Sequence, residues 1–348
     1  IADRLRVTLA DGNERLVPRT TGNLEAYELL LRGRVLLTRR GRAIADAIPL
    51  FERAVVLDPN LAEAHALLGD AYRLLGLYAI APANVVMPKA QASVARALVI
   101  DPKQIEALST AAIIEAIYHW NLPQSIRLSD RALAVEPHHV RTLAERAIAV
   151  ASFEQPGTAW HRDVLATVAK ARSLDPLNAW AVALEGFVQT LIGLQDDAIA
   201  NARHGIELDV NNFTAHWVHC SALAARRRDD EALAAAAPAL AMSGRHPAIL
   251  ALVAAIHSRR EETRLAGQIR VELEERAATG YVSTALRATV AAAASAWPEA
   301  RALLARAIDE RDPQIAFWKM PAWQDTVFRD AECVAMLKAT TLFDRAKT

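Results

Sequence analysis

Small and apolar residues recur along this chain at spacings of three and four, and four of these runs end in a phrase of an acidic residue followed by proline. In one copy, Leu68, Gly69 and Tyr72 fall on a single helical face. Such spacing predicts α-helices that pack in pairs. Proline ends each helix because it lacks an amide proton and moves the preceding residue out of helical angles.

The phrase that ends the helices repeats at nearly fixed intervals. Its copies lie at residues 54–59, 97–102, 132–137, 171–176 and 205–209, the last with Val210 in the proline position. The proline position advances by 43, 35, 39 and 34 residues from copy to copy. Periods of this size are typical of stacked helical repeats, in which each unit contacts only its neighbours.

These residues resemble the tetratricopeptide repeat (TPR) family, whose unit of about 34 residues carries Leu-Gly, Tyr, Ala, Phe, Ala and Pro at set places. Gly33, Gly69 and Gly186 occupy the family's glycine position. The resemblance implies an all-α, right-handed superhelix (solenoid) of about seven or eight stacked antiparallel helix pairs. The longer intervals predict extra loop residues around 77–87 and 154–160.

The resemblance divides the chain into three parts. Residues 1–23 are predicted to be a helix and linker that follow a preceding domain, and residues 24–244 to be the TPR array. Residues 245–348 keep the helical pattern but lack the Tyr and Phe anchors, which predicts degenerate repeats and a C-terminal cap. The aromatic stretch at 317–323 is expected to cover the exposed face of the last repeat.

Several segments are similar to the C-terminal TPR region of bacterial signalling proteins. Residues 16–37 resemble the junction at which such proteins enter the array, and residues 118–121, 280–283 and 307–313 resemble parts of it. In these proteins the resemblance implies a preceding adenylate cyclase, winged-helix regulator or serine/threonine kinase, and none of these is present in the sequence. The first residues of the chain have the character of the middle of a helix, as expected of a fragment. The excess of Arg over Lys is typical of proteins from a high-GC bacterium.

Charge and hydropathy limit the classes of partner that the chain is expected to bind. The chain carries 40 basic and 40 acidic residues, a balance that lacks the electrostatic footprint of a nucleic-acid binder. No apolar run reaches the length of a transmembrane helix, so no membrane insertion is predicted. The expected compartment is cytoplasmic, or periplasmic if a transmembrane helix precedes residue 1.

Enzyme signatures are absent from the sequence. It has no Gly-rich phosphate loop, no Cys-x-x-Cys pair, no Gly-x-Ser-x-Gly elbow and no His-Glu-x-x-His, so neither an enzyme nor a cofactor is predicted. His216, His219 and Cys220 share a helical face at spacings that suit zinc. The repeat register puts them on the packing side, so we expect a buried thiol, two histidines with neighbouring partners, and no metal.

Function is therefore expected on the concave surface, which the first helix of each repeat lines. Most inward positions are small or aliphatic, but those of three successive helices collect aromatic rings and an arginine, the residue types that dominate interface energetics. We predict that a protein or peptide binds there. The predicted partner-binding groove consists of Arg141, Glu145, Trp180, Phe187, Trp217 and Ser221.

Two other functions stay open from the sequence. The groove could close on a small molecule and serve as a sensor, which a compact pocket near Trp180 and Trp217 would favour. The chain could also be the regulatory part of a cyclase or kinase whose catalytic domain is absent here. Neither the partner nor the oligomeric state follows from the sequence.

Overall fold

A computed structural model describes residues 21–41, 43–153 and 161–343, which form helices and no β-strand. The predicted all-α solenoid is confirmed. Sixteen helices follow one another as eight antiparallel pairs, and a shorter helix ends the described chain. Their bounds are α1 Leu24–Arg39, α2 Ala43–Leu57, α3 Ala62–Leu77, α4 Ala83–Ile100, α5 Ile105–Ile117, α6 Leu122–Val135, α7 Val140–Phe153, α8 His161–Leu174, α9 Ala179–Ile192, α10 Gln195–Leu208, α11 Phe213–Ala225, α12 Asp229–Ser243, α13 Pro247–Arg259, α14 Thr263–Thr279, α15 Thr284–Ala293, α16 Trp297–Asp309 and α17 Ala331–Lys338.

The sequence defines both ends of the helices. Asn23, Asn178 and Asn212 each precede a helix and accept hydrogen bonds from its first free N–H groups, which would otherwise lack partners. At the other end, Asp101 has extended backbone angles (φ −133°, ψ 101°) immediately before Pro102. The Asp-Pro phrase therefore stops the helix as predicted.

Glycine permits the close contact between the helices of a pair. A Cβ atom added to Gly69 in α3 would lie 2.7 Å from Val94 Cγ2 and 3.0 Å from the carbonyl oxygen of Ala90, both in α4. At Gly33 in α1, the same atom would lie 2.5 Å from the ring of Phe51 in α2. Larger side chains at either position would push the pair apart.

From α1 to α15 the odd-numbered helices form the inner layer, and each of them contacts the next odd-numbered helix in that range. The layer curves until early and late repeats meet. Tyr78, which follows α3, lies 3.5 Å from the Thr214 hydroxyl, and its ring centroid is 6.5 Å from that of Phe213. Because Thr214 and Phe213 begin α11, the inner helices curve around a central space that is partly open to solvent.

The C-terminal segment lies along this inner layer. It contains three short 3-10 turns, Pro313–Phe317, Pro321–Trp323 and Val327–Arg329. The first turn contacts α3, α7 and α15, and the second contacts α11 and α13. Gln314 Nε2 donates to the carbonyl oxygen of Leu77 at 2.7 Å. The segment expected to cover the last repeat therefore also packs against inner helices from the first half of the chain.

Some predictions fall outside the described residues. These predictions concern most of the N-terminal helix and linker, residues 16–20 of the junction, and the loop at 154–160. Within the described residues, no helix combines the length and the apolar character needed to cross a membrane.

Candidate functional site

An ionic cluster connects three inner helices. Arg141 in α7 lies 2.6 Å from Asp70 in α3, 2.8 Å from Glu106 in α5 and 3.3 Å from Glu145 in α7. Arg73 in α3 lies 2.5 Å from Asp70 and 3.1 Å from Glu145. Two arginines and three carboxylates thus share one set of contacts on the concave side.

Asp70 and Arg141 stabilise each other's charged forms. Burial raises the pKa of Asp70, but the charges of Arg141 and Arg73 outweigh burial and lower that pKa to about 2. Burial works against the charge of Arg141 in the same way, yet Asp70, Glu145 and Glu106 raise its pKa overall. The guanidinium of Arg141, expected to face a partner, is therefore engaged by carboxylates of the chain itself.

A cavity lies beside this cluster, with a volume of about 120 Å³. Its wall comes from α3, α5, α7, α9 and α11, the start of α13 and the first 3-10 turn, so repeats from both halves of the chain contribute. Most of the wall is apolar. The lining residues are Arg40, Arg73, Leu74, Leu77, Tyr78, Ile113, Ile117, Glu145, Ile148, Trp180, Leu184, Phe187, Phe213, Thr214, Trp217, His246, Ala248, Gln314 and Phe317.

Aromatic contacts order one side of the cavity. The ring of Phe187 packs edge-on against Trp217 and against Phe317, with centroids 5.2 Å apart in both pairs. The guanidinium of Arg40 lies 5.3 Å from the centroid of Trp180. Such edge-on and cation–π arrangements are favourable and restrict the side chains to one orientation.

A larger depression adjoins the cavity. It has a volume of about 1070 Å³ and shares six lining residues with the cavity, namely Arg40, Tyr78, Trp180, Phe213, Thr214 and His246. Its other walls include the polar residues Arg39, Asn178, Asp209, Asn211, Asn212 and Arg276. We call this depression the vestibule, since the six shared residues line both it and the apolar cavity.

The structure brings most of the predicted groove residues together. Glu145, Trp180, Phe187 and Trp217 line the cavity, and Arg141 lies in the ionic cluster beside it. Trp180 and Trp217 are half-buried. Ser221 is buried and donates to the carbonyl oxygen of Trp217, so it is not part of the wall. A binding role for these residues stays a prediction.

Sequence reasoning missed the wall residues that lie between helices. Arg40 caps the end of α1, Tyr78 the end of α3, and His246 the start of α13. Phe317 comes from the C-terminal segment. In the sequence, these positions could be recognised only as aromatic or basic residues at the boundary of an inner helix. No local pattern predicts that these helix ends lie close together in the fold.

Two of the three candidate zinc residues, His216 and Cys220, have separate partners. The ring of His216 bonds through Nε2 to the carbonyl oxygen of Val210 at 2.9 Å. Cys220 is fully buried, its thiol donates to the carbonyl oxygen of Ala232, and burial raises its pKa to about 12. In the described parts of the chain, no group of three or more His, Cys, Asp or Glu residues is arranged to hold a metal ion.

Solved structures resemble this chain in fold. No protein-family model matches it, and no curated protein matches its sequence. A TPR protein from Parabacteroides merdae is 13% identical, with 77% of this chain and 98% of that one covered at a TM-score of 0.50. Human IFIT1, solved as a dimer with PPP-AAAA, is 16% identical, with 82% and 72% covered at a TM-score of 0.54. At such identities the likeness establishes a TPR-type fold.

Proposed function

We propose that this chain is a non-catalytic binding module that takes a small organic molecule into the partly open cavity between its inner helices. The observation that carries the proposal is a compact, aromatic cavity at Trp180 and Trp217, where the sequence left a partner groove and a small-molecule pocket as alternatives. Small-molecule sites are concave and mostly apolar, with a few convergent polar groups.

The C-terminal segment argues against an extended peptide in the same place. Residues 313–317 already contact α3, α7 and α15 across the inner layer, so a long peptide would have to displace them. The cavity volume of about 120 Å³ is close to the ~150 Å³ of an engineered apolar cavity that binds benzene. The ligand body is therefore about one ring in size, and a longer ligand extends into the vestibule.

We further propose that the module is the sensory or regulatory part of a bacterial signalling protein. The support is the sequence resemblance of residues 16–37, 118–121 and 280–283 to such proteins. A ligand in the cavity would contact both α3 and α11, which are distant in the chain. Its binding would favour the closed arrangement of the repeats over any more open one, and so transmit occupancy to the rest of the protein.

The test is a titration of the whole chain with toluene, phenylacetate, phenylacetamide and phenethylamine. Binding is monitored by tryptophan fluorescence and by the midpoint of thermal unfolding. We expect at least one probe to alter the emission and raise the midpoint, since a ligand that binds only the folded state stabilises it. Ile148→Phe fills the cavity and should abolish the response, whereas Val271→Phe adds the same ring at an exposed site and should not. An unchanged response in Ile148→Phe would place the binding elsewhere.

A second candidate is a protein or peptide partner on the inner layer. The observation that favours it is the C-terminal segment itself, a stretch of the same chain that packs on this layer. Asp325 holds the segment through ion pairs with Arg227 at 2.5 Å and Arg259 at 3.4 Å. If a partner segment uses this surface, Asp325→Lys should let a synthetic peptide of residues 312–330 bind in trans. Absence of such binding would contradict this candidate.

A further inference from the structure

We propose that residues 1–20 pack on an open face of α1 and complete the first repeat of the array. Leu5 and Leu9 are the proposed contacts to this face. The face carries Leu31 and Val35, which line neither the cavity nor the vestibule. It is therefore a second interaction surface, separate from the proposed ligand site.

The face is defined by four positions that recur from one inner helix to the next. They lie five and two residues before the repeat glycine, and two and five residues after it. Spacings of three and four place all of them on one side of a helix. In α3 and α9 every residue at these positions is buried, namely Ala64, Leu67, Ala71, Leu74, Ala181, Leu184, Val188 and Leu191. An inner helix within the array thus buries this side.

In α1 the same side is exposed. The four positions around Gly33 are occupied by Glu28, Leu31, Val35 and Thr38, and all four residues are exposed. Leu31 is 41% exposed and Val35 is 53% exposed, and Leu24, on the same side of the helix, is also 53% exposed. Single exposed aliphatic residues are common on protein surfaces, but an aligned set on one helix indicates a contact surface.

The missing neighbour explains the exposure. In α3 this side faces the preceding outer helix, since Leu67 and Ala71 belong to the same buried cluster as Phe51 and Ala54 of α2. Among the described residues, only residues 21–23 precede α1. The terminal repeats of a solenoid need a polar outer face or a cap. The outer face of α1 is apolar, so we expect an element that precedes α1 to cover it.

The course of the chain identifies that element as residues 1–20. Thr21 is buried and donates from Oγ1 to Asp58, and Asn23 Nδ2 donates to the carbonyl oxygen of Leu57 at 3.2 Å. These bonds fix the chain next to the first turn of α1. As a helix, 20 residues span about 30 Å, and the 16 residues of α1 span about 24 Å. A segment tethered at this point has an effective concentration of about millimolar, which favours it over a second copy of the chain.

The sequence of the segment suits the face. Ile1, Leu5 and Leu9 recur at a spacing of four, which places them on one side of the helix that the sequence predicts there. Arg4 flanks this side and carries the charge opposite to that of Glu28 in α1. Packing these apolar side chains on Leu31 and Val35 would remove both faces from water, which is favourable.

The experiment measures the reaction of an introduced thiol with a water-soluble disulfide reagent on the whole chain. The two native thiols give a low background, because Cys220 and Cys333 are fully buried and burial raises both pKa values to about 12. Val35→Cys places a thiol on the face. Val271→Cys is the matched control, since Val271 is 47% exposed on α14. We expect Val35→Cys to react at least about tenfold more slowly, because its thiol is reached only when the segment moves away.

Variants in the segment test the named contacts. Adding Leu5→Asp and Leu9→Asp to Val35→Cys should raise the reaction rate to that of Val271→Cys, because a carboxylate is costly to bury against apolar side chains. Val7→Asp is the matched control within the segment. It makes the same change on the opposite side of the predicted helix and should preserve the slow reaction.

Each other outcome contradicts the proposal. If Val35→Cys reacts as fast as Val271→Cys, the face is open to solvent. If the protection of the thiol increases with protein concentration, a second copy covers the face. If Leu5→Asp with Leu9→Asp leaves the protection intact, or Val7→Asp removes it equally, the named contacts are wrong. None of these results depends on the ligand, so their failure leaves the small-molecule function standing.

Discussion

The ring of His246 joins two parts of the chain that lie 168 residues apart, donating from Nε2 to the carbonyl oxygen of Tyr78 at 2.9 Å. Its Nδ1 accepts from the N–H of Ala248 at 3.2 Å. Since one ring nitrogen donates and the other accepts, the ring is neutral. Burial lowers the pKa of His246, in agreement with this geometry. The bond closes the inner layer between α3 and α13, beside the cavity.

The first prediction concerns acid. The pKa of His246 is lower in the folded chain than the ~6.5 of an unfolded histidine. Its contribution to stability is therefore complete above about pH 6.5 and is lost as the pH falls through the folded pKa. Between neutral and mildly acidic pH, we expect the free energy of unfolding of the wild type to fall by about 1 kcal/mol more than that of His246→Gln. Urea unfolding of both proteins measures the difference.

His65 and His219 also have pKa values lowered by burial, so the wild type carries a background of the same sign. The difference between wild type and His246→Gln removes that background. Parallel stability curves for the two proteins across this pH range would mean that His246 does not titrate with unfolding.

A second prediction compares two helical glycines. Gly69→Ala should lower the free energy of unfolding by about 1 to 3 kcal/mol, because the new Cβ meets Val94 and the Ala90 carbonyl. Gly267→Ala should raise it by about 0.5 to 1 kcal/mol, because nothing lies within 4 Å of the new Cβ and alanine favours helix. Thermal unfolding of both variants measures the difference. A neutral Gly69→Ala would mean that α3 and α4 have room to separate.

The local part of the site follows from the sequence. On a helix the direction of each side chain is fixed by its position, so the repeat register is sufficient to place Trp180, Phe187 and Trp217 on the inner layer. The partners of Arg141 also had a signal, because Asp70 and Glu106 occupy inward positions in the two preceding repeats. Opposite charges at stacked inward positions predict an ionic cluster as readily as a binding contact.

The closure of the site does not follow from the sequence. Contacts such as Tyr78 with Thr214 and Gln314 with Leu77 join residues 136 and 237 positions apart. They depend on a small rotation between neighbouring repeats that accumulates along the solenoid. No local periodicity encodes that sum, so an open groove and an enclosed cavity have the same pattern. The C-terminal aromatic residues could be identified as packing residues, but not assigned to inner helices of early repeats.

A third prediction tests the ionic cluster. Arg141→Met should cost about 3 to 5 kcal/mol of stability, because removing one partner leaves buried carboxylates uncompensated. Arg228→Met is the matched control, since Arg228 pairs with Glu231 at an exposed position and its loss should cost far less than the loss of Arg141. Chemical unfolding of both variants at neutral pH gives the comparison.

The same cluster should respond to acid in the wild type. The folded pKa of Asp70, about 2, lies below that of an unfolded aspartate. Its stabilisation is therefore present above about pH 4 and is lost as the pH falls toward 2.

Equal losses of stability in Arg141→Met and Arg228→Met would show that the ionic cluster exchanges with solvent and contributes little.

The last prediction concerns Phe317, the ring that the C-terminal segment contributes to the cavity wall. Phe317 is 8% exposed and packs edge-on against Phe187. Phe317→Ala should cost about 3 to 5 kcal/mol of stability and enlarge the cavity toward α15. We therefore expect the variant to bind 1-naphthylacetate better than phenylacetate, and the wild type to have the reverse preference. Phe328→Ala is the control, because Phe328 belongs to the same segment and packs against Phe343 outside the cavity wall. Calorimetric titration of the three proteins with both probes gives the ratio of affinities. If Phe317→Ala loses stability while that ratio stays at the wild-type value, the ring supports the fold but does not limit the ligand.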